Sequence, residues 1–145
     1  MNLSNYAKIS TALDYASGSA DREGAALDMS GFEGVLMIVK FATIAASAVV
    51  TIKAQQGDES DLSDAADLED TGISVAEDDD DQVFIIDLYR PLERYVRLYV
   101  DKDASNATAE SAIYVQYGAR SLPADNNVDD EVTCELHVSP DEGTA

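Results

Sequence analysis

The chain has 145 residues, 29 acidic against 9 basic side chains, a formal net charge of −20 and 46% hydrophobic residues. That length suits one domain able to bury roughly 70% of its unfolded surface, and the hydrophobic share is that of a globular chain. The charge opposes binding to nucleic acid and to anionic membranes, because phosphate contacts need Lys and Arg; a DNA mimic fits the charge and nothing else in the sequence.

The opening "MNLSNYAKIS" has no basic start followed by an apolar stretch, so no signal peptide is expected. "STALDYA" (10–16) and "GAALDMS" (24–30) read as weaker strands around the polar turn "SGSADRE". A helix competes for the first of them, since Tyr6, Ile9 and Leu13 fall at helical spacing. The longest apolar run, "GVLMIVKFATIAASAVV", is broken by Lys40 and Thr43 and is too short to span a membrane. It divides into a strand at 35–42, apolar on both faces until Lys40, and a second at 47–55 that could return beside it as a hairpin. "SDLSDAADLED" (60–70) could form one helical turn, and "GISVA" (72–76) one more short strand.

"QVFIIDLYR" (82–90) places Phe84, Ile86 and Leu88 on one face and Val83, Ile85, Asp87 and Tyr89 on the other. After a turn at Pro91, "RYVRLYVDK" (94–102) points Val96, Leu98 and Val100 inward and Tyr95, Arg97 and Tyr99 outward. "SAIYVQYGA" (111–119) gathers Ile113, Val115 and Tyr117 on one face, and "EVTCELHV" (131–138) gathers Val132, Cys134, Leu136 and Val138. Seven to nine short strands in one domain predict an all-β fold: a β-sandwich, jelly-roll-like in one form, with extended terminal arms. The sandwich is expected over 1–120 with an acidic loop at 56–82; residues 121–145 form a loop, a late strand and a tail, in the same domain or as an arm to a neighbour.

No catalytic constellation is legible. The sole histidine, His137, and the sole cysteine, Cys134, are three apart in a strand and so face opposite ways, which disfavours a dyad and leaves Cys134 as a small apolar residue. A single cysteine also excludes an internal disulfide. "GSADREG" and "GFEG" lack the ending and the helix of a phosphate loop. Carboxylate pairs suited to glycoside hydrolysis discriminate nothing in a chain this acidic, and the absence of Trp weakens a sugar platform.

The acidic run "EDDDD" at 77–81 stands directly before an apolar strand. Calcium-loop spacing fails, because the sixth residue counted from Asp58 is Ser63 and from Asp61 is Ala66, where a Gly is needed. Consecutive Asp residues in extended chain point alternately to opposite sides, so a solvated turn is the better reading than a weak Ca²⁺ or Mg²⁺ site. Such charges also act as gatekeepers against edge-to-edge pairing. Arg90, Arg94 and Arg97 concentrate the scarce positive charge; they either pair with nearby carboxylates or, with Tyr95 and Tyr99, form a protein interface.

The stretches "STALDYASGSADREGAALDMSGFEGVLMIVKFATIAASAVVTIKAQQ", "YRPLERYVRLYVDK", "YVQYGARSLPADN" and "ELHVSPDEGTA" resemble the small virion proteins of tailed bacteriophages, of the head decoration or capsid cement kind. The likeness is one of pattern over nearly the whole chain, without an active-site motif. It implies a β-sandwich on the capsid exterior, made in the host cytoplasm, that binds the major capsid protein and itself as dimer or trimer. It implies no catalytic residue, cofactor, metal, nucleic acid or membrane partner. The expected interface residues are Tyr95, Arg97 and Tyr99 on one strand face, Tyr6 and Ile9 in the N-terminal arm, and His137 in the tail. The alternative is a carbohydrate-binding or adhesion sandwich.

Overall fold

The period-two segments fold as strands, and the regular structure is β apart from one turn of helix, α1 (Leu3–Tyr6). The computed structural model describes residues 1–104, 106–127, 131–139 and 141–144. Its strands are β1 (Lys8–Gly18), β2 (Arg22–Glu23), β3 (Leu27–Asp28), β4 (Gly34–Ile44), β5 (Val50–Gly57), β6 (Ala66–Asp67), β7 (Ile73–Val75), β8 (Val83–Tyr89), β9 (Tyr95–Lys102) and β10 (Thr108–Tyr117). They form a β-sandwich, as expected. One sheet, A, has the order β1-β10-β4-β8; the other, B, runs β2-β9-β5-β6 with β3 beside β9 and β7 beside β5. All pairings are antiparallel.

The core lies between the sheets and is built from the alternate residues that period two sends inward. Val35, Met37, Val39 and Phe41 of β4 meet Ile52 and Ala54 of β5 and Val96, Leu98 and Val100 of β9, all fully buried. Phe84 of β8 adds an edge-to-face contact with Phe41, ring centroids 5.7 Å apart, a geometry favoured by the ring quadrupoles. Tyr114 of β10 ties the sheets together: its buried hydroxyl accepts the Leu98 N–H at 2.9 Å and donates to the Ala25 carbonyl at 3.0 Å. Gly24 makes room for that hydroxyl, since a Cβ there would lie 2.5 Å from it.

Two expectations are corrected here. Residues 47–55 do not return beside 35–42 as a hairpin. Both flanks of β4 are occupied, by β10 and β8, and the link through Ser47 (φ 63) carries the chain across the core into sheet B. The strand expected at 131–138 shrinks to a single bridge at Val132, with no regular strand over 133–139. Instead, side chains of this segment and the one before it cover the outer edge of β1. Asn126 accepts the Ile9 N–H at 2.7 Å and donates to the Ala7 and Ser4 carbonyls, while Glu131 accepts the Thr11 N–H at 2.6 Å. The helical alternative at the N-terminus gives way to β1, because Ala12 and Leu13 find the core as strand residues. Residues 60–70 form turns and β6, not a helical turn.

A charged cluster interrupts the apolar core at one end. Glu110 and Lys102 have fully buried side chains and pair at 2.9 Å; Arg22 reaches the same carboxylate at 3.0 Å and Thr108 donates to it at 2.7 Å. Lys102 also donates to the Gly18 carbonyl at 2.9 Å. Buried charges persist only when paired and hydrogen-bonded in this way.

Candidate interaction surfaces

The outer face of sheet A is apolar although the molecule is strongly acidic. β4 and β8 are largely apolar on both faces and β10 on its outer one, and their registers align the outward residues into rows. One row runs Thr11, Ile113, Ile38, Ile85 and the next runs Ile9, Val115, Leu36, Asp87. Beyond them lie Ser111, Lys40 and Val83 on one side and Tyr117, Gly34 and Tyr89 on the other. Ile113 is 41% exposed, Ile85 51%, Val83 54% and Tyr89 55%. Lys40 and Asp87 are the only charges in these rows. Gly34 is held bare by Tyr117, whose ring would lie 2.3 Å from a Cβ. The Tyr117 hydroxyl donates to Asp87 at 2.6 Å, and burial first, then that bond, pushes its pKa up to about 12.

β8 is an edge strand, hydrogen-bonded to β4 alone among the described strands. A long, half-apolar edge is a template for unwanted pairing, and the acidic run stands immediately before it. The run itself is a set of backbone caps. Asp80 accepts the Ile44 N–H at 2.7 Å, Asp79 accepts the Ala76 N–H at 2.8 Å and the Gln82 amide at 2.7 Å, and Glu77 accepts the Ser47 N–H. Lys40 bonds the Asp81 carbonyl. The carboxylates of Glu77, Asp79 and Asp80 therefore diverge onto separate amides, and among the described residues no three acidic, His or Cys groups are placed to hold a metal ion.

Sheet B presents the opposite character. Tyr95, Arg97 and Tyr99 share its outer face, as the alternation requires, but the polar atoms of Arg97 and Tyr99 are engaged within the chain. Arg97 makes two bonds to Glu23 at 2.9 and 3.2 Å and one to Gln55 at 2.7 Å. Tyr99 donates to Asp21 at 3.0 Å, a bond that raises the phenol's pKa. Lys53 lies 5.1 Å over the Tyr99 ring and pairs with Asp67 at 2.8 Å, the bond that chiefly raises its pKa, and with Asp101 at 3.2 Å. Arg94 stacks 5.2 Å from Tyr95 and forks onto Asp28, which holds the Asp28 carboxyl well below the usual range. The intramolecular reading of these arginines is the one the geometry supports.

The remaining expected interface residues are dispersed. Tyr6 is exposed on α1, and His137 is exposed on the tail, 3.1 Å from Glu135. Ile9 alone lies on the outer face of sheet A. Reading the sequence missed Ile38, Ile85 and Ile113 as surface residues; the signal was there in strands apolar on both faces. A groove of about 590 Å³ opens at the far end of β8, where Arg90, Arg94 and Arg120 meet Met29, Phe32 and the fully exposed Leu92. Three acids, Glu33, Asp58 and Glu93, line it as well, so it carries no net positive charge.

No family model matches the chain, and no curated protein matches it. Among solved structures it is similar to the PBSX exported protein XepA, with a TM-score of 0.53 and 15% sequence identity over 94% of this chain. The match spans 45% of the XepA chain, a little under half its length. At that identity the likeness is one of fold.

Proposed function

We propose that the chain is a structural virion protein, without enzymatic activity, that decorates and stabilises the outside of a bacteriophage capsid by bridging major capsid protein subunits. The observation that carries the proposal is the outer face of sheet A: a broad, nearly uncharged sheet surface on a protein of net charge −20 is suited to meeting another protein. Two further features support it. The fold is similar to that of the PBSX exported protein XepA, and the sequence pattern resembles decoration proteins over most of its length.

The mechanism is linkage by mass action. A protein that binds the assembled lattice and not free subunits shifts the shell toward its mature form, and many weak sites act together on one closed particle. The acidic remainder of the surface faces solvent and keeps densely packed particles apart. The test is co-sedimentation of the purified chain with undecorated capsids assembled from the major capsid protein of the phage that carries it. Saturable binding, with increased capsid resistance to heat, is the expected result; no binding at any salt concentration refutes the proposal.

A further inference from the structure

We infer that the open edge of β8 takes an extended, basic segment of another protein as an added antiparallel strand. This edge is separate from the outer face of sheet A and does not depend on what covers that face. The backbone groups that β8 leaves unpaired follow from its register. The Phe41 N–H donates to the Gln82 carbonyl at 3.1 Å, and the Arg90 N–H to the Glu33 carbonyl at 2.8 Å. Between those ends the pairing with β4 runs without a shift. Even-numbered residues therefore bond β4, and Val83, Ile85, Asp87 and Tyr89 turn their N–H and C=O groups the other way. No described residue bonds these groups. The other sheet edges are blunted. Asn126, Glu131 and the Ala25 N–H cover β1; β2, β3 and β6 are two residues long and β7 three. Such devices protect edges from pairing, and β8, at seven residues, has none along its backbone.

Charge selects the occupant. Arg22 and Ala25 bond β1, which sets β1 over β2 and β3 at one side of the sandwich and β8 over β6 and β7 at the other. The acids of 58–70 and of the run 77–81 thus flank the β8 edge, and from Ala54 to Tyr89 the chain has no Lys, Arg or His. Asp78 is exposed and has no partner among the described residues. The β8 edge of a second copy, with the same acids, is repelled, whereas a strand bearing Lys or Arg is attracted. Directly opposed residues of an antiparallel pair share a face. The partner's residues opposite Val83, Ile85 and Tyr89 therefore lie on the apolar outer face, and those between them turn toward β6, β7 and their acids. The segment that fits alternates apolar residues with Lys or Arg over roughly 23 Å.

The test is fluorescence anisotropy of a labelled peptide of alternating Lys and Val, acetylated, amidated and long enough to span β8, titrated with the full chain. Saturable binding that NaCl weakens is the expected result. N-methylation of the Val residues removes the donors that face β8 and abolishes binding; N-methylation of the Lys residues, whose N–H groups face away, leaves it within about twofold. In the protein, Ile85→Pro removes an outward N–H and no bond to β4, a place where Pro is tolerated, and abolishes binding. Asp78→Asn weakens it. Absence of binding at low salt overturns the inference, as does equal binding by a peptide with Glu in place of Lys. If the two methylated peptides bind alike, charge alone attracts them and strand addition is overturned, a result that holds even where Ile85→Pro fails to fold. A dimer of the chain alone that Ile85→Pro removes makes a second copy the occupant and also overturns it. Capsids take no part in this test, so failure of the virion role leaves the inference standing.

Discussion

Glu110→Ala is the most informative single change for the architecture. It removes the one carboxylate that Lys102, Arg22 and Thr108 share, at 2.9, 3.0 and 2.7 Å, in a site where the Glu110 and Lys102 side chains are fully buried. Lys102 would keep only the Gly18 carbonyl. Leaving a buried cation without its partner costs about 3–5 kcal/mol, a large part of the roughly 5–15 kcal/mol that holds a domain of this size. At about 3–4 °C per kcal/mol near this chain length, the midpoint should fall by roughly 10–20 °C. Lys102→Met should cost less, because Glu110 keeps Arg22 and Thr108. The assay is urea unfolding followed by far-UV circular dichroism and by the fluorescence of the seven tyrosines, undisturbed by any Trp. A Glu110→Ala variant within about 1 kcal/mol of the parent would refute the reasoning, given the magnitude expected for a buried pair. So would a Lys102→Met variant that is the less stable of the two.

Tyr114→Phe should lose about 1–3 kcal/mol, since it strands the Leu98 N–H and the Ala25 carbonyl in the core; denaturant titration reads this directly. Tyr117, with its pKa pushed up to about 12 against an ordinary value near 10, should stay protonated in a spectrophotometric titration after exposed tyrosines have ionised. Its contribution to stability is complete below pH 10 and is lost as pH rises toward 12. On the acid side, Asp28 titrates below its ordinary value because Arg94 bonds the carboxylate, so that contribution is present above about pH 4 and lost as pH falls; Arg94→Gln should flatten this limb of the stability–pH curve. If the run 77–81 is a set of backbone caps, Asp80→Ala should cost about 1 kcal/mol by freeing the Ile44 N–H. Millimolar Ca²⁺ should then leave the melting temperature unchanged; a rise of several degrees would contradict the capping role.

Period two fixed much of this molecule in advance. The strands around 35–42, 82–90, 94–102 and 111–119 are where the alternation places them, and Val96, Leu98 and Val100 do face inward. Local pattern also showed no calcium-loop spacing from Asp58 or Asp61, and the structure adds that Glu77, Asp79 and Asp80 of the acidic run cap separate backbone amides. What alternation does not carry is partnership. A strand's own residues say nothing of which sheet it joins, so 47–55 read as a hairpin partner and proved to lie across the core, and 131–138 alternated like a strand yet has no ladder.

The surface face shows the same division more sharply. Where a strand is apolar on both sides, as at Val35–Val39 or Val83–Ile86, sequence cannot say which side is core, because both satisfy the hydrophobic effect equally. Only the packing of sheet A on sheet B chose Met37 and Ile86 for the interior and left Ile38 and Ile85 outside. Only the registers of three strands, distant in sequence, set Ile113, Ile38 and Ile85 in one row. The strands and the charge balance were properties of the chain; the apolar outer face is a property of its tertiary arrangement, made when long-range pairing aligned residues that no local rule connects.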